Sequence, residues 1–322
     1  MPWITAATLF LISILSACSY AFADHPDCVE RTIPVSLSDR NGVPLPNLTA
    51  SNLQGTYQKR PIVIRSVEVN DRPPRVMVLV DTSGSMRTTG SSNADLAAAV
   101  VSKLPANVEV GLAFFAAKTV LVVTPTTDRV KLLYALEPLR KGFYYDEGMT
   151  ALRSALLDSV KIFGPPVFGD TVLLISDGGE NHSKASERDV EGILVSSGIR
   201  VFALTLQSEF GLLIRSRTVE ELDGPGTVQA VVRSTGGTAL LIPPPYFPTR
   251  PADILEKNGK ETQLGHDIGR QIEQLLKFYR VEITLPGPVD KPRNWKLDLA
   301  GFDKGPAGKL ELIYPTVLTP CR

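Results

Sequence analysis

Short, uninterrupted apolar runs, each followed by a stretch of helical periodicity, confine this chain to a small set of folds. Residues 76–80 are five apolar side chains in a row, the pattern of a strand covered on both faces. Strand-like runs also stand at 108–116, 119–124, 171–176, 200–206 and 238–242. Between them, Leu96, Val100 and Leu104 fall at i, i+4 and i+8, and Leu152, Leu156, Val160 and Phe163 share one helical face. Ser186, with Asp189 three residues on, opens a third helix that carries Val190, Ile193 and Leu194 inward. Strands alternating with helices predict an α/β domain over 75–242, built on a doubly wound, mostly parallel six-stranded sheet of Rossmann-like type. Only Ala117 and Lys118 separate two of the runs, so these form a hairpin and one edge strand is antiparallel.

The flanks read differently. In 24–74, Ile33, Val35 and Leu37 alternate, a turn follows at Asp39-Arg40-Asn41-Gly42, and a second run begins at Pro61. The prolines of 243–251 exclude regular structure and mark a surface connection. Beyond it Ile268, Ile272, Leu275, Leu276 and Tyr279 form a helical stripe, followed by the strand-like runs RVEITL, WKLDLA and KLELIYP. Such strands bury too little area to stand alone. The C-terminal part, 243–322, is therefore expected to pack with the N-terminal β segment. An apolar content of 43% supplies the core, and 34 basic against 34 acidic residues leave no electrostatic footprint for nucleic acid or an anionic membrane.

Residues 1–23 stand apart, because 4–23 contain no charge and a dense apolar stretch, the composition of an export signal. Two processing sites compete. Leu15-Ser16-Ala17-Cys18 resembles a lipoprotein box that would leave Cys18 lipidated, whereas Ala21-Phe22-Ala23 fits ordinary signal cleavage; a retained N-terminal anchor is the third option. All three predict an exported protein: periplasmic, envelope-associated or secreted, and held at a membrane only through a lipid or that anchor. Outside the cytosol thiols pair, and the remaining Cys28 and Cys321, one near each end of the mature chain, are expected to form a disulfide.

The chemistry gathers where the strand 76–80 ends. Asp81, Ser83 and Ser85 follow it at two-residue spacing, Thr150 sits at the start of the helix that carries Leu152 and Leu156, and Asp177 follows the run 171–176. In a parallel sheet these positions share the carboxyl edge, where loops converge on ligands. Two carboxylates and three hydroxyls make an all-oxygen set suited to a hard divalent cation, Mg²⁺ more than Ca²⁺, with Mn²⁺ also admissible. Lying on the sheet's rim, Asp81 is expected to be replaceable without loss of the fold.

Asp81-Thr82-Ser83-Gly84-Ser85, then Thr150, then Asp177, resembles the metal-ion-dependent adhesion site of von Willebrand factor type A domains, with all five positions present in order. The resemblance covers 75–242, and the flanks are similar to those of exported bacterial proteins carrying this domain. It implies that Ser83, Ser85 and Thr150 contact the metal directly and that Asp81 and Asp177 hold it mainly through waters. It also implies that one open position takes an Asp or Glu from a partner protein, so that the ion joins two proteins and is not a catalyst. Tyr144, Tyr145, Asp146 and Glu147, just before Thr150, form either a partner-contact loop or one whose tyrosines pack down onto the sheet. A longer connection, 207–226, borders the same edge, with Phe210, Leu212, Leu213 and Ile214 either packed or facing a partner.

Two other classes compete. A haloacid-dehalogenase-like phosphatase needs an acid two residues after the nucleophilic Asp, and that position is Ser83. A serine hydrolase needs a histidine base, for which only His25, His182 and His266 are available. A structural envelope protein with an unused site is the third class, and does not explain five intact ligands.

Overall fold

The computed structural model describes residues 28–39, 43–89, 92–143, 149–206, 219–242, 251–301 and 310–321. The leader with Cys18, His25, the loop residues Tyr144, Tyr145, Asp146 and Glu147, and the apolar group Phe210 to Ile214 lie outside these. In chain order the main strands are β1 (Glu30–Ser38), β2 (Leu53–Tyr57), β3 (Val63–Val69), β4 (Val76–Asp81), β5 (Val110–Phe115), β6 (Thr119–Thr126), β7 (Thr171–Ser176), β8 (Arg200–Leu206), β9 (Ala239–Ile242), β10 (Tyr279–Thr284), β11 (Lys296–Leu299) and β12 (Glu311–Ile313). The main helices are α1 (Ser92–Lys103), α2 (Arg129–Arg140), α3 (Leu152–Phe163), α4 (Glu187–Ser196), α5 (Val219–Thr235) and α6 (Gln263–Leu276).

Six strands form the central sheet in the order β9-β8-β7-β4-β5-β6, all parallel except β6, which returns antiparallel beside β5 at one edge. The alternation within β4 shows why its apolar run is unbroken. Val76, Val78 and Val80 face α1, α2 and α6, whereas Met77 and Leu79 face α3, α4 and α5. Every residue of β4 is buried. The sheet is therefore doubly wound, and its carboxyl edge carries the ends of β4 and β7 side by side.

The terminal segments build a second, antiparallel sheet of order β12-β1-β10-β3, while β11 pairs with β2. Their inner faces share one core around Val35, Leu37, Tyr57, Val281 and Trp295. The Cys28–Cys321 disulfide joins the two chain ends across a sequence separation of 293 residues. Closing a loop of that length restricts the unfolded chain by roughly 5 kcal/mol on the entropic model. None of the described helices is long and apolar enough to cross a membrane.

Several elements depart from the sequence expectations. Tyr279 opens β10 instead of closing the helical stripe, because α6 ends at Leu276 and the Tyr279 hydroxyl donates to Leu45 O at 2.8 Å inside the terminal core. Helix α2 was not expected. Exposed Val130 and Tyr134 and the proline at 138 blur its periodicity, yet Asp128 caps it by accepting from Lys131 N, and Leu132, Leu136 and Leu139 are buried. The stretch read as a connection to residue 226 is helical from Val219, with Pro225 inside it, for a reason found at the site. Pro251, read as part of the irregular linker, starts the short helix Pro251–Leu255, the position where a missing N–H is harmless.

Candidate metal centre

The site begins with the last residue of β4. Asp81 is 0% exposed, so it forms the floor of the cluster and not its rim, which corrects the expectation that it sits outside the packed structure. Its Oδ1 accepts from Ser83 N at 2.9 Å and its Oδ2 from Ser176 Oγ at 2.6 Å. Asn93, at the start of α1, donates through Nδ2 to Asp81 O at 2.8 Å, and Thr82 donates through both N and Oγ1 to Phe115 O. The turn after β4 is thus fastened to both neighbours.

Ser83 is buried, and its Oγ lies 3.2 Å from that of Ser85, which is exposed. Octahedral coordination with bonds of roughly 2.0–2.1 Å puts adjacent ligand oxygens about 3 Å apart, close to this spacing. Across the cleft, Thr150 is buried, and its backbone is gripped from both sides. Thr150 N donates to Asn181 Oδ1 at 2.8 Å, Thr150 O accepts from Asn181 N and His182 N, and the adjacent Ala151 N donates to Ala116 O at 2.8 Å. Asp177 is half-buried, and its Oδ1 accepts from Gly179 N at 3.0 Å. A methyl group on Gly179 would sit 3.3 Å from Asp177 Oδ1 and 3.7 Å from Thr150 Oγ1, so these two side chains face one point.

The loop after β7 also caps helix α3, whose N-cap residue, Ala151, has no capping side chain. Glu180 accepts from Arg153 N at 2.8 Å and pairs with the Arg153 side chain, while Ser183 Oγ accepts from Ser154 N at 3.0 Å. Burial would raise the Glu180 carboxyl, but N–H donors from Arg153, Ser183 and His182 outweigh it and hold the group below the usual range. Sequence reading missed Glu180, Asn181, Ser183, Ser176 and Asn93, none of which is a predicted ligand. For Glu180, Asn181 and Ser183 the signal lay in the density of polar residues after the strand at 171–176, which is indistinguishable in sequence from a solvated turn.

Gly178 and Gly224 explain the proline-containing helix. Gly178 has φ +87°, and a Cβ there would lie 2.4 Å from Gly224 O, so the loop carrying Asp177 and helix α5 touch backbone to backbone. The glycines that look like helix breakers are what let α5 approach. Gly178→Ala is expected to cost about 2–4 kcal/mol, through the left-handed conformation and this clash together. Denaturant unfolding checks it, and a loss below about 1 kcal/mol would contradict the contact.

Electrostatics separates this cluster from an ordinary polar turn. Burial, and then the charge of Asp177, push the Asp81 carboxyl up to about 7, against the pull of hydrogen bonds from Ser176 and Ser83. Neither carboxylate takes part in an ion pair among the described residues. No three Asp, Glu, His or Cys side chains converge among them either, so any cation here depends on the hydroxyls as well. The donor set fits a hard divalent ion. His182 and His266 are exposed, the latter 3.7 Å from Glu261 on the far side of the sheet from α3.

Comparison with known proteins bears on the same segment. Residues 76–180 match the family model of the von Willebrand factor type A domain. No curated protein matches the chain. Among solved structures it is similar to the conserved hypothetical protein BatB from Bacteroides thetaiotaomicron, at 17% identity and TM-score 0.45, over 63% of this chain and 98% of that one. It is also similar to a von Willebrand factor type A protein from Catenulispora acidiphila, at 10% identity and TM-score 0.46, over 90% of this chain and 74% of that one. A third likeness is to the manganese-loaded TRAP protein of Plasmodium vivax, at 14% identity and TM-score 0.43, over 79% and 97% of the two chains.

Proposed function

We propose that this chain, whose residues 76–180 match the family model of the von Willebrand factor type A domain, is a protein-binding module that works through a divalent cation, most readily Mg²⁺. Asp81, Ser83, Ser85, Thr150 and Asp177 would hold the ion. When bound, it supplies positive charge and an open coordination position that suits an Asp or Glu carboxylate of a partner. The residues of this chain do the rest. Ser176 and the Ser83 amide orient Asp81, and Asn181 and the Ala116 carbonyl hold the backbone at Thr150 and Ala151 while leaving the Thr150 hydroxyl to turn toward the cleft.

One observation carries the reading. A fully buried carboxylate faces a second carboxylate with no cationic side chain paired to either among the described residues, and such an arrangement is costly unless a cation neutralises it. The ion in this reading is a bridge and not a catalyst, so hydrolase turnover dependent on Asp81 would overturn it. We place the protein outside the cytosol, as periplasmic, envelope-associated or secreted. The uncharged apolar start of the chain and the Cys28–Cys321 disulfide support that placement.

Thr150→Ala separates the two roles of the site. The backbone of Thr150 anchors the loop and survives the change, and in this reading its hydroxyl engages the ion only once a partner carboxylate is bound, so folding and most of the affinity for Mg²⁺ should persist. Partner capture from the source envelope should fall about tenfold or more, as expected for loss of a charge-assisted contact worth roughly 1.5–3 kcal/mol. Calorimetry with Mg²⁺ and Mn²⁺, and capture with and without chelator, give the two readouts. Capture that is indifferent to chelator would sink the proposal.

A further inference from the structure

At the opposite, amino edge of the sheet, the disulfide has surroundings that a simple staple does not need. Arg31, half-buried in β1, donates from Nη1 to Cys28 Sγ at 2.8 Å. Its other acceptors are two backbone carbonyls, Glu30 O at 3.0 Å and Thr319 O at 3.4 Å. No ion pair among the described residues involves it. Half-burying a guanidinium without a counter-charge is unfavourable, and the nearest group that can become an anion by bond cleavage is the Cys28 sulfur. Cys321 is exposed, on the wall of an open groove of about 490 Å³ that Phe168, Gly198, Ile199 and Pro315 also line. The two cysteines are therefore unequal: Cys321 is the more exposed residue, and half-buried Cys28 presents its sulfur to a fixed positive charge.

We propose that Cys321 is a thiol–disulfide exchange site, with Cys28 as the leaving group and Arg31 as the residue that stabilises it. An incoming thiolate attacks Cys321 Sγ, a new S–S bond forms there, and the Cys28–Cys321 bond breaks with its electron pair on Cys28 Sγ. The Cys28 thiolate then pairs with the Arg31 guanidinium. A dithiol attacker completes the exchange when its second thiolate displaces Cys321. The attacker leaves oxidised to a disulfide, and this chain is reduced by two electrons. A lower pKa in the leaving thiol speeds the first step. Opening the bond leaves the chain around Cys321 tied down by the long contact from Arg31 to Thr319 O, while Val317–Leu318 stay paired with Arg293–Asn294. The pairing of β1 with β10 does not depend on it.

The test is the rate of reduction of the full chain at neutral pH by glutathione and by dithiothreitol, for the native protein, Arg31→Gln and Arg31→Lys. Arg31→Gln should be reduced roughly threefold to tenfold more slowly than the native protein, and Arg31→Lys within about twofold of it. Glutathione should be found on Cys321 by peptide mass mapping, and dithiothreitol should carry the reaction to free thiols. In denaturant the three proteins should react alike, which separates the charge effect from any difference in the unfolded chain. A rate for Arg31→Gln equal to or faster than the native rate, or a glutathione adduct on Cys28, would overturn the proposal. Mg²⁺ binding, at the other edge of the sheet, should be the same in all three, so failure here is distinguishable from failure of the metal-site reading.

Discussion

Replacing Asp81 with asparagine should abolish divalent-cation binding and at the same time make the metal-free protein more stable at mildly alkaline pH. The two effects have one cause. A carboxyl whose pKa rises from 3.8 to about 7 on folding is held in surroundings that resist its charge, at a cost on the order of 4 kcal/mol once it is ionised. Asparagine keeps the shape and can still accept from Ser83 N, so the neutral amide relieves the repulsion with Asp177 without opening a cavity. The gain is expected to be about 1–3 kcal/mol, below the full cost because the amide cannot reproduce the charge-assisted bond from Ser176. Alanine at the same position is a poorer probe, since it strands the Ser83 amide and the Ser176 hydroxyl inside a buried site. Urea unfolding in chelator and Mg²⁺ calorimetry, on the native protein and on Asp81→Asn, check the expectation. If Asp81→Asn binds Mg²⁺ like the native chain, or is less stable than it without metal, the cluster is not a cation site.

The same carboxyl fixes a pH dependence. Between pH 3.8 and about 7 the folded protein keeps a proton on Asp81 that the unfolded chain has lost. The folded state therefore binds more protons, and its stability falls as pH rises through that window, reaching its lower plateau above about 7. Below pH 3.8 both states are protonated and this contribution is constant. A divalent cation competes with that proton, so its affinity should drop by up to about tenfold for each pH unit below about 7. Saturating Mg²⁺ or Mn²⁺ should raise the thermal midpoint by about 5–10 °C near pH ~8 and by much less near pH ~5. Equal midpoint shifts at the two pH values would contradict the raised pKa. In Asp81→Asn both the metal response and this part of the pH dependence should vanish together.

The contrast between Asp81 and Asp177 shows where reading the chain stops. Both were identifiable because each follows an apolar strand, and a parallel sheet sends every such position to one edge. Nothing in the residues themselves distinguishes them, yet one ends as the buried floor of the site and the other stays half-exposed. Burial depends on what lies overhead. For Asp81 that is the turn through Ser83, fastened by Asn93 and Thr82, together with the hydroxyl of Ser176 from the adjoining strand.

Six strands are legible in the residues alone: four are buried throughout, because apolar runs without alternation need cover on both faces, and a two-residue gap admits only a hairpin, whose second strand is the partly exposed edge. The pairing of Cys28 with Cys321 is legible too, since two thiols remain beyond Cys18 and the terminal strands need each other. Tertiary structure alone decided the rest. Gly224 and Pro225 look like a break in the chain until the backbone of Gly224 is seen to pack against that of Gly178. Tyr279 continues a helical stripe in sequence, but the hydroxyl finds Leu45 O only if a strand begins there. Glu180 reads as one more polar loop residue, and becomes the cap of α3 because that helix starts without one. Each decision rests on a contact between segments far apart in the chain, and local periodicity carries no information about such contacts.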